Sequence, residues 1–494
     1  MPRIDHALIV GAGIAGCSAA IALAQQGMRV TLEAKQRAWQ FTSSGLFIYS
    51  NGLRALREIG VLAQILQAGF AVPGGRNRYF GPDGSFIVET VYPSLDGLPA
   101  ILGIKRAELH RILAARIEEL GVVLKLGTTV ASLPSGQDDG PMRVALSDGT
   151  HVVCDLVIGA DGIRSQVRAD AFPELVPGYS GFGVWRSVHD RPRDLDAKIM
   201  MMGTGKRLGI MPISDEKLYL FGVMLEPQDS WYERAEWPAL MRERFAEFRG
   251  PAAPFLDQLG EGAEVLYTGV EEVIAPLPWH RGRVLLIGDA AHASTPFMGQ
   301  GGAMALEDAV VLAEALGSEA TLDQALLAFG RRRHPMCRLV QDWMASSPNW
   351  SDCARRAGSG RRDRASVLVG VGLDELDLVA VRVLDEGDDR GAVLHGAGLA
   401  RDLAAQFAHA VTGGIGVVHR HRDVAVAGAE VVLLHAPVVR EFEHGAVFFV
   451  FIADEGQCEL AVGVVLAAQQ AHTQDLGVEV DRALHVADAE HGVE

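Results

Sequence analysis

Cysteine is scarce in this sequence of 494 residues, and its pattern excludes two common stabilising devices. The five cysteines are Cys17, Cys154, Cys337, Cys353 and Cys458. They are odd in number and widely scattered, and no two of them form a CxxC pair. This pattern argues against a disulfide framework and against structural zinc, so we expect no metal site and a reducing, cytoplasmic location.

Positive charge is also in deficit. Lysine and arginine number 45 against 62 aspartates and glutamates, which gives a formal net charge of -17. A surface of this sign repels nucleic acid and anionic membranes. No apolar run is long enough to span a bilayer, so a membrane span is not expected either. Hydrophobic residues make up 49% of the chain, and its length predicts two or three domains.

The first informative stretch lies at the amino terminus. An apolar run, ALIV, leads into GAGIAG, whose glycines are Gly11, Gly13 and Gly16. A helical pattern follows, and a second strand then ends at Glu33. This order and spacing predict a dinucleotide-binding unit, in which the turn approaches a pyrophosphate and the acid binds a ribose hydroxyl. A secretory leader is the rival interpretation of residues 7–24, but Asp5 and Glu33 argue against it.

Residues 284–307 form the second informative stretch. The apolar run VLLI ends at Gly288 and Asp289, and Pro296 leads into a glycine-rich loop and an alanine-rich helical segment. A strand end with a carboxylate, followed by a loop that opens a helix, suits a polyol and an electron-poor ring. An ordinary strand, turn and helix is the alternative. Between the two stretches, a buried strand at residues 155–158 runs into GADGIRS.

Together these stretches resemble the three motifs of single-component FAD-dependent aromatic hydroxylases, which share the para-hydroxybenzoate hydroxylase fold. The resemblance covers residues 5–345, and the chain looks most like the branch of urate, quinolone, salicylate and hydroxynicotinate hydroxylases. It implies an α/β fold with a Rossmann-type FAD-binding domain, an interleaved sheet-rich substrate domain and C-terminal helices. The expected parts are 1–172 for the first part of the FAD-binding domain, 173–275 for the substrate domain, and 276–350 for the last part with the closing helices.

The resemblance also assigns residues to the cofactor. FAD contacts are expected, in chain order, from Gly11, Gly13, Ala15, Gly16, Glu33, Ala34, Arg106, Val130, Asp161, Gly162, Gly288, Asp289, Gly299, Gln300, Gly301 and Gly302. Arg106 precedes a predicted helix, where acids are normally preferred, so the resemblance implies the FAD pyrophosphate or ribityl chain as its partner. A solvated surface arginine is the alternative. Residues 41–50 are the loop that relatives place against the flavin, but FTSSG replaces the usual glycine-rich segment.

The reaction implied by the resemblance is aromatic hydroxylation. NADH or NADPH reduces FAD, O2 forms a C4a-hydroperoxyflavin, and its distal oxygen passes to a small aromatic or N-heteroaromatic ring. No second GxGxxG is present, so the reductant is expected to visit the flavin site transiently.

Three residues are assigned to the substrate side of this reaction. Arg207 and Tyr219 are expected to converge over the flavin ring and bind a polar edge of the substrate, and Pro296 belongs to the catalytic loop. A surface arginine and a packed strand tyrosine are the alternative. Phe297 stands where the urate-hydroxylating relative has an acid, which favours a more apolar ring, and Met211 is expected to add another apolar wall.

A second function class stays open on the sequence alone. It is a non-hydroxylating flavoprotein of the same fold, either a reductase or an inactive flavin-binding remnant. The expected partners of the chain are a small aromatic substrate and O2, and a homodimer is the candidate assembly.

The chain beyond Trp350 lacks lysine, asparagine, tyrosine, tryptophan and methionine altogether, and Pro437 is its only proline. This bias fits GC-rich DNA translated in a frame never selected for folding. Residues 351–494 are therefore predicted to be a tail of doubtful fold that arose by frameshift or fusion. A thioredoxin-like domain, which some larger phenol-hydroxylating relatives carry, is the competing interpretation, but no clean strand and helix order supports it.

Overall fold

The computed structural model describes residues 4–39, 44–134, 140–228, 230–260 and 262–346, together with four strands between residues 367 and 466. The chain divides into two units, Met1–Met344 and Ala345–Glu494. Residues 41–43 of the predicted flavin loop and most of the predicted tail lie outside the described residues. The finer sequence-based domain boundaries stay predictions.

The helices of the described chain are α1 (Ile14–Gln25), α2 (Ser50–Glu58), α3 (Leu62–Ala68), α4 (Arg106–Glu119), α5 (Gln166–Ala171), α6 (Trp237–Arg244), α7 (Ala253–Asp257), α8 (Asp289–His292), α9 (Gly301–Ser318) and α10 (Leu322–Ser346), with short 3-10 helices at Pro73–Gly75 and Arg234–Glu236. The strands of the first unit are β1 (His6–Val10), β2 (Arg29–Ala34), β3 (Gly45–Tyr49), β4 (Phe70–Ala71), β5 (Arg76–Phe80), β6 (Phe86–Val91), β7 (Ile101–Lys105), β8 (Val123–Leu126), β9 (Val130–Ser132), β10 (Met142–Leu146), β11 (His151–Cys154), β12 (Leu156–Gly159), β13 (Gly178–Asp190), β14 (Lys198–Gly203), β15 (Lys206–Pro212), β16 (Lys217–Leu225), β17 (Val265–Glu272), β18 (His280–Arg281) and β19 (Val284–Leu286).

Short apolar strands build the first sheet, whose strand order is β18-β19-β12-β1-β2-β8. All neighbouring strands pair in parallel except β18, which is antiparallel to β19. Every residue of β1 and of β12 is buried, as expected for parallel strands covered on both faces. Helix α1 packs against β1, β2, α4 and α9. This is the predicted Rossmann-type domain.

The three glycine motifs follow strands that lie side by side in this sheet. GAGIAG follows β1, the GADG turn follows β12, and the turn at Gly288 follows β19. In parallel sheets, loops at the carboxyl ends of neighbouring strands meet at one edge, and that edge is where ligands bind. The topology therefore brings three motifs that are far apart in sequence to one place.

A seven-stranded sheet, of order β17-β13-β16-β15-β14-β5-β6, covers the second region. Strands β5 and β6 come from the first part of the chain, so the two regions are interleaved as predicted. One face forms a core with α6 and α7, in which Trp185, Leu208, Ile210, Phe245 and Phe255 are buried. The opposite face, which we call the inner face, packs against β3 and β7 and includes Met200, Met211, Tyr219 and Phe221.

Two helical segments differ from the sequence-based expectation. The helical spacing of apolar residues in 51–68 predicts one amphipathic helix, but the chain breaks into α2 and α3 because Gly60 adopts a φ of 78° between them. Conversely, the sequence predicts two closing helices, 322–333 and 336–344, but they form one continuous helix, α10, with Pro335 inside it. Buried Phe329 and Met336 on either side of the proline anchor both halves, which offsets its lost hydrogen bond.

The second unit contains β20 (Val367–Leu373), β21 (Leu376–Val383), β22 (Ala446–Phe451) and β23 (Gly463–Leu466), which form an antiparallel sheet of order β21-β20-β22-β23. This sheet was not expected from the sequence. Its segments, such as VLVGVGL and AVFFVF, are rich in valine and phenylalanine, which favour strands. The other residues of the predicted tail lie outside the described part of the chain, and its origin by frameshift or fusion stays a prediction.

Candidate active site

The first turn is shaped by glycines that permit close backbone contacts. Gly11 has a φ of 104°, and a Cβ there would lie 2.5 Å from the carbonyl oxygen of Ala160. A Cβ at Gly16 would collide with the backbone of Gly11, so α1 approaches the turn as closely as the motif requires. Gly13, in contrast, faces open space, with nothing within 4 Å of its would-be Cβ. The turn therefore leaves room for a diphosphate at the start of α1.

Glu33 lies in β2, next to this turn, and is fully buried. Neither of its carboxylate oxygens has a hydrogen-bond partner among the described residues. Burial raises the pKa of Glu33 to about 7, Asp148 and Asp161 add to the increase, and Lys125 opposes it. A buried acid without partners is costly unless a ligand supplies donors, and two ribose hydroxyls are suitable donors. Ala34 and Val130, which were assigned to the same region, are both buried.

In the middle motif, Asp161 was assigned to FAD, but its carboxylate binds groups of the protein. Its carboxylate accepts hydrogen bonds from the Ser165 hydroxyl at 2.5 Å and from the backbone N–H groups of Gln166 at 2.7 Å and Val167 at 3.2 Å. Asp161 therefore caps the start of α5. Gly162 has a φ of 83° and faces open space. The predicted contact of both residues with FAD stays a prediction.

The third motif combines a tight turn with a free carboxylate. Gly288 has a φ of 57°, and a Cβ there would lie 2.6 Å from the side chain of Ala15, so this turn rests directly on α1. The next residue, Asp289, begins α8 and is exposed. Its side chain makes no hydrogen bond or ion pair within the described part of the chain. A free carboxylate at this edge is suited to accept hydrogen bonds from a polyol chain.

The start of α9 faces the same edge. A Cβ at Gly301 or Gly302 would meet nothing within 4 Å, and the first turn of this 18-residue helix contains no acid. The Gln300 side chain accepts a hydrogen bond from the Asn51 amide at 3.1 Å, and Gly299 packs against the ring of Phe47. Free N–H groups at an unobstructed helix start stabilise negative charge.

A buried ionic cluster holds the third motif in place. Asp308 is fully buried, and its carboxylate accepts the Gly288 N–H at 2.8 Å, His292 Nε2 at 2.6 Å and Arg333 Nε at 2.8 Å. Burial opposes ionisation, yet the two cations lower the pKa of Asp308 to about 2. Burial likewise disfavours the charged imidazole, but Asp308 raises the pKa of His292 well above its ordinary value. His292 therefore braces the loop and is not placed as a base.

Asp308 and Arg333 were missed at the sequence level. The available signal was an aspartate within the apolar helical segment GGAMALEDAVVLAEAL, since an acid among buried positions needs a buried partner. The partner stands 25 residues away at Arg333, on α10, and nothing in the local sequence identifies it.

Arg106 starts α4 and is exposed, and its backbone N–H bonds to the carbonyl oxygen of Ser44 at 2.7 Å. The guanidinium has no carboxylate partner among the residues that the structure describes. An exposed cation at a helix start is able to bind an anionic ligand, and this placement does not identify the ligand.

Arg207 and Tyr219 both lie on the inner face. Arg207 pairs with Val223, and Tyr219 pairs with Met211, so four residues of register, roughly 13 Å along the strands, separate their positions. Burial lowers the pKa of Arg207 to about 10, and its Nε is buried without a hydrogen-bond partner. Tyr219 packs against Gly45, and burial raises the pKa of its hydroxyl while Arg186 opposes the increase. The two residues therefore lie on the same face of the sheet, but their positions on it are not adjacent.

The loop that follows the third motif contacts Arg207. Its Nη2 donates to the carbonyl oxygens of Phe297 at 2.8 Å and Pro296 at 3.5 Å, and its guanidinium lies 4.4 Å from the centre of the Phe297 ring. Phe297 also packs edge-on against Phe182 at 4.7 Å. Arg207 thus connects the inner face to the loop that carries Pro296 and precedes the start of α9. Met211 is fully buried in the same face.

The residues present fit FAD. The observations that carry this fit are a buried, unpartnered Glu33, glycines that leave space at two helix starts, and an unpartnered carboxylate at Asp289. Glu33 matches the ribose, and the glycines at the start of α1 match the pyrophosphate. Asp289 matches the polyol chain, and the open start of α9 matches the anionic ring system of the cofactor. Fold and site together define a dinucleotide-binding flavoprotein with a second sheet over its cofactor edge.

The comparisons with known proteins identify the family. The chain matches the FAD binding domain family over residues 5–344, and it belongs to that family of FAD-dependent monooxygenases, whose members hydroxylate aromatic and heteroaromatic rings. These matches confirm the predicted resemblance to FAD-dependent aromatic hydroxylases, the predicted fold class and the predicted binding of FAD.

Two curated relatives and one solved structure illustrate the similarity. The chain is 34% identical over 386 residues to 2-heptyl-3-hydroxy-4(1H)-quinolone synthase of Pseudomonas aeruginosa, and the alignment covers 74% of this chain and 98% of the relative. It is 30% identical over 316 residues to FAD-dependent urate hydroxylase of Mycolicibacterium vanbaalenii, and that alignment covers 62% of this chain and 78% of the relative. The crystal structure of Klebsiella pneumoniae HpxO complexed with FAD and uric acid matches with a TM-score of 0.61 and 26% identity, covering 70% and 88%.

The described residues offer neither a metal site nor a membrane span. No group of three or more histidine, cysteine, aspartate or glutamate side chains in that part of the chain is arranged to hold a metal ion. Within the same residues, no helix combines the length and the apolar character needed to cross a membrane.

Proposed function

We propose that this protein uses NADH or NADPH and O2 to hydroxylate a small aromatic or N-heteroaromatic ring, with a flavin hydroperoxide as the oxygen donor. The observation that carries the proposal is the combination of an FAD-shaped edge with a buried, largely apolar inner face beside it. By their names, one of the relatives above forms a hydroxyquinolone and the other hydroxylates urate, and both molecules contain flat N-heteroaromatic rings.

The binding roles follow from the site. Glu33 would hold the ribose, Asp289 the polyol chain, and Arg106 an anionic part of FAD, while Gly11, Gly13, Gly16 and the other residues of the three motifs line the path. The open helix start at Gly301 and Gly302 would stabilise negative charge on the reduced ring system. Bound FAD, once reduced, supplies the activated oxygen, and the protein supplies position and electrostatics.

The substrate side is an apolar pocket with few polar groups. Phe221, Met211 and Phe297 would contribute flat and apolar walls that exclude water from the reaction. The buried Nε of Arg207 is a donor without an acceptor, which suits a carbonyl, carboxylate or phenolate oxygen of the ring. Tyr219 would line the opposite end of the pocket. Pro296 is proposed to fix the loop between Arg207 and the start of α9.

Further parts of the proposal rest on the sequence. The described cysteines, Cys17, Cys154 and Cys337, are free and buried, which agrees with a reducing, cytoplasmic location. The FAD-binding and substrate domains at 1–172, 173–275 and 276–350, and a homodimeric assembly, remain part of the same proposal.

The test is a panel of hydroxybenzoates, quinolones and hydroxypyridines, scored by substrate-stimulated NADH or NADPH consumption. We expect a yellow protein and stimulation by at least one ring. Arg207→Ala should raise KM for the best ring by about 10-fold or more, since it removes a charged hydrogen bond, and should leave FAD content unchanged. An unchanged KM would place the substrate elsewhere. Oxidation of NAD(P)H that no ring stimulates would favour the alternative, a reductase of the same fold.

A further inference from the structure

Lys198 begins β14 and is only 5% exposed. It lies beside Asn77 of β5, and two residues further on Met200 pairs with Gly209, which lies between Arg207 and Met211. Because side chains on a strand alternate between faces, Lys198 belongs to the inner face with Arg207. A lysine at such a buried position is rare unless it is paired.

Aromatic side chains surround the amino group. Its Nζ lies 3.1 Å from the Tyr92 hydroxyl and 3.3 Å from the Tyr49 hydroxyl. It also lies 4.4 Å from the centre of the Phe47 ring. The Asn77 amide donates to the same Tyr92 hydroxyl at 3.1 Å, which fixes that oxygen. Lys198 is therefore held in one position by groups that carry no charge.

No negative charge compensates this lysine. Neither Lys198 nor Arg207 forms an ion pair with any carboxylate in the described chain, and Arg207 is the other charged group that acts on Lys198. The groups that face the amine are the hydroxyls of Tyr49 and Tyr92, and they are neutral at ordinary pH. An ammonium has three donors, and two can go to these hydroxyls. The third has no acceptor among the described residues.

The position of Lys198 links it to the FAD edge. The Phe47 ring, over which Nζ lies, is also the group that a Cβ at Gly299 would strike. Phe47 is 5.7 Å from Phe221 of the inner face, measured between ring centres. One aromatic ring therefore separates the amine from the loop that opens α9, and the same ring forms part of the apolar wall.

We propose that Lys198 holds the acidic oxygen of the substrate, so that the preferred ligand is a flat ring with an ionisable hydroxyl group. The inference rests on the monooxygenase function proposed above and assigns to it a residue that binds the substrate. A buried amine without an acid partner, among aromatic side chains, is complementary to an acidic ring oxygen. An ionised hydroxyl also makes the ring electron-rich, which favours its attack on an electrophilic oxygen.

The proton balance of this step is simple. Burial lowers the pKa of Lys198 to about 7, and the Arg207 charge acts in the same direction. The neutral amine accepts the proton of the ring hydroxyl, which breaks the O–H bond and forms an N–H bond. The products are a ring oxyanion and an ammonium in contact with it, and no electron leaves either group.

The experiment measures binding to the FAD-loaded protein without turnover. The probe is para-nitrophenol, whose anion absorbs visible light, and the matched ligand is nitrobenzene, which lacks the hydroxyl. Difference spectra give both the affinity and the ionised fraction of bound probe. The variants are Lys198→Met and Lys198→Gln. The control is Lys206→Met, because Lys206 lies in the adjacent strand β15 but binds Glu247 and a backbone carbonyl of α6.

Wild-type protein should bind para-nitrophenol as the anion, about 10-fold or more tightly than nitrobenzene, as expected from one charge-assisted hydrogen bond. Both Lys198 variants should lose this preference and the visible absorbance of the bound anion. Nitrobenzene affinity and FAD content should not change, and Lys206→Met should behave as wild type.

Three results would overturn the assignment. They are a wild-type protein without preference for the anion, Lys198 variants that keep the preference, and variants that lose nitrobenzene binding equally. The wild-type comparison decides the matter even if no Lys198 variant folds. Turnover enters none of these results. A protein that binds the anion through Lys198 but hydroxylates no ring would contradict the monooxygenase proposal and leave this assignment intact.

Discussion

Replacement of Arg333 by alanine should destabilise the protein strongly, because it breaks the buried cluster behind the third motif. Arg333 is 7% exposed at its side chain and forms ion pairs with Asp308 at 2.8 Å and Glu307 at 2.9 Å. It also donates to the carbonyl oxygen of Met304 at 3.0 Å. Without it, a fully buried carboxylate loses one of its two cationic partners, and the Gly288 N–H depends on that carboxylate.

The expected loss is about 3–5 kcal/mol in the free energy of unfolding, the range for removing one partner of a buried ion pair. For the unit Met1–Met344 the loss corresponds to a fall in Tm of roughly 4–7 °C. The adjacent Arg332 provides a matched control. It is 50% exposed and pairs with Glu314, which is 54% exposed, at 2.7 Å. Its replacement by alanine should cost about 1 kcal/mol or less.

Thermal unfolding of the two variants, followed by circular dichroism and by release of flavin fluorescence, measures the difference. We expect Arg333→Ala to unfold at a lower temperature and to release FAD earlier than Arg332→Ala. Equal Tm values for the two variants would refute the reasoning, since the cluster would then contribute no more than a surface ion pair.

Three further predictions concern FAD, pH and the tail. Asp289→Ala should weaken FAD binding by about 10-fold or more, from one lost charged hydrogen bond, while the exposed control Asp215→Ala should not; equal flavin occupancy in both would remove the assignment. Lys198→Met should stabilise the FAD-free fold at pH 7 by about 1–4 kcal/mol, because a buried charge is removed. The pKa of Lys198 falls to about 7 in the folded state, so the free-energy cost of burying its charge is full below that pH and disappears as the pH rises to about 10. The free energies of unfolding of the wild type and of Lys198→Met should therefore converge at high pH. Truncation after Pro348 should leave an FAD-binding protein, and loss of folding in the truncated chain alone would show that the tail is a required domain.

The sequence was sufficient for those features that depend on local spacing. Gly11, Gly13 and Gly16 lie within six consecutive residues, and the geometry of their turn follows from the conformations that glycine allows. The parallel sheet followed from apolar runs that alternate with helical patterns. These constraints act over a few residues, so reading the chain in order recovers them.

The polar interior could not be predicted in the same way. Asp308 and Arg333 meet only when α9 and α10 pack together. Lys198 meets Tyr49 and Tyr92 only when β14, β3 and the residue after β6 come together. Each of these residues looks like an ordinary charged or aromatic residue in its local sequence. The sequence likewise predicted that Arg207 and Tyr219 converge, but it could not supply the register that separates their positions along the sheet.

The central claim is that reduced FAD in this protein delivers oxygen from O2 to an aromatic ring. The direct measurement is turnover under ¹⁸O2 with the best ring from the panel, followed by mass spectrometry of the product. The account predicts one ¹⁸O atom in each hydroxylated product molecule, with NAD(P)H consumed in step with product. Consumption of NAD(P)H that converts the O2 entirely to hydrogen peroxide, with no labelled product from any ring, would contradict it.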